Sequence, residues 1–143
     1  VICYLDTSAL VKLYVLEPGS EAVRRLVGEA AVAATSIVAY PEARAALARG
    51  LRDGLLDEKD YRQVVAALES DWPRYLALEV SDSLARFAGE LAEKHRLRGF
   101  DAIHLASALT LKVRVKDRVV AGCFDERLWE ALRAVDLEVL PGR

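Results

Sequence analysis

Four acids stand at positions where chemistry could use them: Asp6, Glu42, Asp101 and Asp125. Asp6 directly follows Val1-Ile2-Cys3-Tyr4-Leu5, an apolar run that reads as a strand buried on both faces, in the middle of a parallel sheet. Asp125 follows a second such run, Val119 to Phe124. Glu42 falls in the first half of a helix predicted to run to about Leu51, and Asp101 opens an almost wholly apolar helix, Ala102 to Leu111. Carboxylates set among apolar residues cannot stay ionised without compensation, because burial raises their pKa and like charges repel. A divalent cation resolves the conflict. Mg²⁺ or Mn²⁺ suits an all-oxygen donor set. Such a centre can activate water and stabilise the charge that builds on a phosphoryl group during in-line displacement. Two Cys and two His in the whole chain argue against Zn²⁺.

Each acid also has a plain structural use. Asp6, Asp101 and Asp125 all precede helical runs and can serve as N-caps. Glu42 can pair with Arg44 or Arg49. Spacing alone does not show that the four converge. His104, on the inner side of an apolar helix, reads as a satisfied core residue, and His95 as a solvated one near a helix C-terminus.

The elements that must position these residues alternate along the chain. Strands are predicted at residues 1–5, 30–34, 75–80, 119–124 and 137–140, with helices between them. This is the pattern of βαβ units and a central parallel sheet flanked by helices, an α/β fold of about five short strands. Thr35 and Ser36 are read as caps of the third helix, with Pro41 in its first turns, where a missing N–H is harmless. The alternation of Lys112, Arg114, Lys116 and Arg118 with Val113 and Val115 also fits a charged edge strand.

Bulk properties bound the answer. With 143 residues, 53% hydrophobic and 29% charged, the chain suits one globular domain. A formal net charge of −2 argues against coating of nucleic acid by bulk charge but leaves room for a local basic surface. Cys3 and Cys123 both sit in apolar runs and read as buried thiols of a reducing compartment. No apolar run spans a bilayer and the first residues lack the basic flank of a signal peptide, so a cytoplasmic protein is expected.

Four segments together carry a resemblance. Leu5-Asp6-Thr7-Ser8-Ala9-Leu10-Val11-Lys12-Leu13-Tyr14, Thr35-Ser36-Ile37-Val38-Ala39-Tyr40-Pro41-Glu42, Phe100-Asp101-Ala102-Ile103-His104-Leu105-Ala106 and Phe124-Asp125-Glu126-Arg127-Leu128 resemble the PIN domain in order and spacing. More narrowly, they resemble the VapC-type toxins of toxin–antitoxin pairs. The likeness spans nearly all of residues 1–143. It implies a single PIN-like domain with a central parallel sheet. The activity implied is metal-dependent endoribonuclease, hydrolysing RNA phosphodiester bonds with metal-activated water and leaving 5′-phosphate and 3′-hydroxyl ends. Carried over by position, Asp6, Glu42, Asp101 and Asp125 would be the catalytic acids and ligands of Mg²⁺ (or Mn²⁺), supported by the Ser8 hydroxyl. The partners implied are RNA, a cognate antitoxin and a second copy of the chain in a homodimer. An RNA-processing nuclease without antitoxin and a catalytically silent binding module are the alternatives.

One departure is visible. Many relatives carry Thr or Ser two residues before the last acid, where this chain has Cys123, so a hydroxyl beside Asp125 is expected to be missing. An acidic centre repels a phosphate chain, so cations are expected around its rim. Lys12, Arg96, Arg98 and Arg127 are the leading candidates, with Arg44, Arg49 and the 112–118 run behind them; each also reads as solubilising surface. Tyr14, Val15, Leu16 and Tyr40 read first as core and second as apolar surface for antitoxin contacts.

Overall fold

Five short strands make one parallel sheet: β1 (Ile2–Leu5), β2 (Val32–Ser36), β3 (Leu76–Leu78), β4 (Val119–Gly122) and β5 (Glu138–Leu140), in the order β3-β2-β1-β4-β5. The structure, a computed structural model, describes residues 1–142. All four residues of β1 are buried, as its unbroken apolar sequence requires of a central strand. Alternate side chains face opposite ways. Ile2 and Tyr4 join one core with α5 (Asp82–His95), α6 (Gly99–Arg114) and α7 (Glu126–Ala134). Cys3 and Leu5 join the other with α1 (Thr7–Val11), α2 (Ser20–Glu29), α3 (Ala39–Arg52) and α4 (Glu58–Asp71). The result is a three-layer α/β/α arrangement with the predicted sheet.

Strand order explains where a site must lie. The chain steps outward from β1 through β2 to β3, then returns to the other side of β1 for β4 and β5. Connections therefore leave the carboxyl ends of β1 and β4 in opposite directions, and a crevice opens between them. Asp6 is the first residue beyond β1, and Cys123 the first beyond β4. Gly122 lets α1 lie close over this junction: a Cβ there would stand 3.1 Å from Leu5 and 3.2 Å from Ala9.

Several local expectations are corrected. Thr35 and Ser36 belong to β2 and do not cap α3; the Thr35 hydroxyl instead donates to the Leu5 carbonyl at 2.6 Å, tying β2 to β1. Four turns of apolar packing carry α6 on to Arg114, so residues 112–118 form no edge strand. The fourth strand ends at Gly122, two residues earlier than its apolar run suggests. Helix α1 covers only Thr7–Val11, about one and a half turns, shorter than the apolar stretch to Leu16, and Leu16 is 79% exposed.

Candidate active site

Each acid reaches the crevice from a different element. Asp6 is the N-cap of α1: its Oδ1 accepts from the Ala9 N–H at 2.9 Å, and the Ser8 hydroxyl donates to Oδ1 at 2.7 Å. Capping and the site are thus not alternatives here, since the same bonds that cap the helix fix the carboxylate. Ser8 is itself held, its oxygen accepting from the Phe124 N–H at 2.9 Å, so one hydroxyl links the ends of β1 and β4. Glu42 lies in the first turn of α3, where Pro41 precedes it. Its Oε1 accepts from the Thr7 hydroxyl at 2.6 Å and bonds His104 Nε2 at 2.9 Å. The alternative ion pair is not made: Arg44 bonds Tyr40 and Glu69 instead. Asp101 sits in the first turn of α6 without capping it, because the N-cap is Arg98. Asp125 does cap α7, its Oδ2 accepting from Leu128 N–H at 3.0 Å.

The charges of the other three acids are felt at Asp101. Burial raises the pKa of Asp101, and the negative charges of Asp125, Asp6 and Glu42 raise it further, against an opposing effect of His104. Asp6, only 4% exposed, is raised chiefly by burial, with His104, Ser8 and the Ala9 N–H pulling the other way. Glu42 differs. Burial acts to raise it, but the bonds from His104 and Thr7 win and its pKa is lowered. Glu42, Asp101 and Asp125 line one cleft of about 530 Å³ with Arg98, Gly99, Phe100 and Ile103.

Can these residues hold a cation? Among the described residues, no three His, Cys, Asp or Glu side chains form a group that could hold a metal ion as they stand. Yet Glu42 Oε2, Asp125 Oδ1 and both oxygens of Asp101 take no part in the bonds above. The donors are hard oxygens under mutual repulsion. They fit a Mg²⁺-like ion, which keeps several waters and takes one or two carboxylates rather than a full protein cage.

The missing hydroxyl is replaced. The Cys123 thiol is buried and lies 3.4 Å from the Asp125 carbonyl oxygen, within reach of Asp6. Burial, then the Asp6 charge, push its pKa well up, so it is a neutral S–H donor. The Asp125 carboxylate is held by the helix cap, and the thiol meets only its backbone carbonyl.

Comparison with known proteins places this arrangement. A model of the PIN domain matches residues 3–134. The chain belongs to the PIN domain family. Its VapC-type character shows in a relative, Ribonuclease VapC45 of Mycobacterium tuberculosis, 36% identical over 142 residues, covering 99% of this chain and 96% of that protein. Among solved structures, M. tuberculosis VapC20, described as a sarcin-ricin loop cleaving toxin, aligns with a TM-score of 0.67 at 18% identity, covering 94% of this chain and 95% of that one. A toxin–antitoxin complex from Klebsiella pneumoniae aligns at 0.66 with 16% identity, covering 99% and 98%. The structural matches establish the fold.

The rim of this PIN domain departs from expectation in one respect. Lys12 is only 8% exposed; its ammonium pairs with Glu17 at 3.0 Å and sits 4.5 Å over the Phe124 ring, so it is no open rim cation. It packs instead against Gly19, whose φ of 96° and closeness to Phe124 allow no side chain. Arg98 lines the acidic cleft. Arg96 and Arg127 are exposed but line a neighbouring cleft with His95 and Glu130. His95 is half-buried with its Nε2 covered, not solvated as expected. Tyr14 and Tyr40 are half-buried, Tyr14 bonding Asp71 and Tyr75, and Tyr40 stacking edge-on with Trp72.

Sequence reading missed three residues that this PIN domain uses to support its acids: Tyr4, Thr7 and His104. The available signal was spacing. Asp101 and His104 are three apart on one helix and so share a face. Thr7 follows Asp6 at the mouth of the crevice. His104 is a satisfied core residue as expected, 2% exposed, but one of the partners that satisfies it is a site acid.

Proposed function

We propose that this PIN domain is a metal-dependent endoribonuclease, the toxin of a VapBC-type pair, whose catalytic and ion-holding residues are Asp6, Glu42, Asp101 and Asp125. One observation carries the reading: four acids from four elements meet at the switch point of the sheet, Glu42, Asp101 and Asp125 lining one cleft and Asp6 fixed at the end of β1 beside it. The named activity of the 36% identical relative supports RNA as substrate.

In this reading Mg²⁺ or Mn²⁺ supplies positive charge against the phosphoryl oxygens and acidifies water at neutral pH. The chain's own residues do the rest. Ser8 and the Ala9 N–H fix Asp6 at the floor of the crevice and oppose the effect of burial on it, while Thr7 and His104 hold Glu42 and lower its pKa. Asp101 brings the least committed carboxylate. At the mouth, Arg98 offers a guanidinium for a flanking phosphate, and Phe100, 56% exposed, offers a ring face for an unpaired base. Arg96 and Arg127 extend the cationic surface beyond the cleft. Water as nucleophile leaves no chemical role for the RNA 2′-hydroxyl.

The Klebsiella complex supports a protein antitoxin as partner, and the exposed Leu16 beside Tyr14 suits its apolar contacts. A homodimer in the cytoplasm completes the reading; no helix among the described residues is long and apolar enough to cross a membrane. The test is incubation of a pool of structured RNAs with the protein, in Mg²⁺, Mn²⁺ or EDTA. Metal-dependent cuts bearing 5′-phosphates are the expected result. Intact RNA under every condition would overturn the reading.

A further inference from the structure

His104 is built into the molecule more firmly than a core histidine needs to be. It lies 2% exposed in the third residue beyond Asp101 on α6, between the sheet and the acidic cleft. Both ring nitrogens are engaged. Nε2 is 2.9 Å from Glu42 Oε1, and Nδ1 is 2.8 Å from the hydroxyl of Tyr4, itself buried in β1. Thr7 donates to the same Glu42 oxygen and stands 3.2 Å from Nε2.

The hydrogen-bond inventory fixes the direction of this chain. An ionised carboxylate only accepts, so the proton between His104 and Glu42 belongs to Nε2. When that is the ring's one proton, Nδ1 is an acceptor and the Tyr4 hydroxyl donates to it. Ser107, buried beside Tyr4, has no hydrogen-bond partner within normal geometry, and its hydroxyl is the one placed to turn towards the Tyr4 oxygen. The relay therefore runs Tyr4 to His104 to Glu42. Its far end is anchored in the most buried strand of the sheet. Glu42 itself sits on a long, flexible side chain in the first turn of α3, half-open to the cleft. Without Nε2 and Thr7, nothing above would hold its carboxylate in one rotamer.

We propose that His104 is a positioning residue: through Nε2–H it holds Glu42 Oε1, so that Oε2 is the oxygen presented to a cation, and Tyr4 fixes the tautomer that makes this possible. The inference rests on the ribonuclease reading for its consequence and on geometry alone for the tautomer. Outer partners of ligating groups set orientation, and their loss commonly lowers metal affinity or activity by about 10–100-fold.

The test separates holding Glu42 from filling space. His104→Gln keeps an N–H donor near the Nε2 position, whereas His104→Asn keeps a polar group only near Nδ1. With each protein shown folded by its melting curve, Mn²⁺ affinity is measured by calorimetry and RNA cleavage by kcat and KM. The expected result is Gln close to wild type, with Asn losing about 10–100-fold in Mn²⁺ affinity and kcat at little change in KM. Equal loss in both variants, or no loss in Asn, would overturn the proposal. Should the variants not fold, ¹⁵N NMR of the wild-type ring decides: a proton on Nε2 supports the relay, and one on Nδ1 alone refutes it. If the wild type cuts no RNA, the ribonuclease reading fails, while the tautomer and the Mn²⁺ titrations still judge His104.

Discussion

Asp101 is the acid on which the account leans hardest, because it is crowded by the other three and no hydrogen bond from the described residues relieves it. Asp101→Asn is expected to lower kcat by more than the ~100-fold typical of outer partners, read in the RNA cleavage assay. The same change should stabilise the metal-free protein. Raised folded-state pKa values for Asp6 and Asp101 mean that the native state binds protons more tightly than the unfolded chain. The contribution of these two acids to stability without metal therefore rises as pH falls from neutral towards the ordinary carboxylate range. The Tm of metal-free Asp101→Asn should exceed that of wild type at pH 7, and the gap should narrow on acidification. A Tm below wild type at neutral pH would show that Asp101 is not under repulsion. At this scale Asp6 and Asp125 stood out where apolar runs end and Asp101 where one begins, whereas Glu42 carried no such local mark. Their convergence was not legible, since it depends on the sheet order that brings β4 beside β1.

Elements place these residues, and small side chains place the elements. Gly122→Ala would put a methyl group 3.1 Å from Leu5 and 3.2 Å from Ala9, pushing α1 away from the junction of β1 and β4. A loss of about 1–3 kcal/mol is expected in urea unfolding, as for other overpacked sites. Cleavage should suffer as well, because Asp6 and Ser8 ride on α1. Leu105→Ala, in the fully buried face of α6, should lose about 2–5 kcal/mol by the same measurement. Helix and strand identities were readable from period: the five predicted strands all form, each overlapping its expected range. Failures fell where one local signal had two uses. Thr35 and Ser36 look like caps, yet the tertiary bond from Thr35 to Leu5 draws them into β2. Lys12 looks like a free cation, yet its long stem packs on Phe124 and its charge meets Glu17.

At the scale of the whole molecule, a protein of net charge −2 must hold an anionic polymer through local contacts at the cleft mouth. Arg98→Ala should raise KM with little change in kcat, and flatten the salt dependence of RNA binding by about 0.7 in log–log slope, the share of one phosphate contact on a single strand. Phe100→Ala should weaken binding by about 1–3 kcal/mol if a base stacks there, with Phe100→Trp preserving it. The central claim is that four separated acids act as one cation site, and titration calorimetry with Mn²⁺, without RNA, tests it most directly. The account predicts saturable binding to the wild type that weakens as pH is lowered and falls at least tenfold, about 1.4 kcal/mol, in Asp101→Asn. Absence of Mn²⁺ binding to the wild type, or equal binding to the variant, would contradict it and leave Asp6 and Asp125 as helix caps alone.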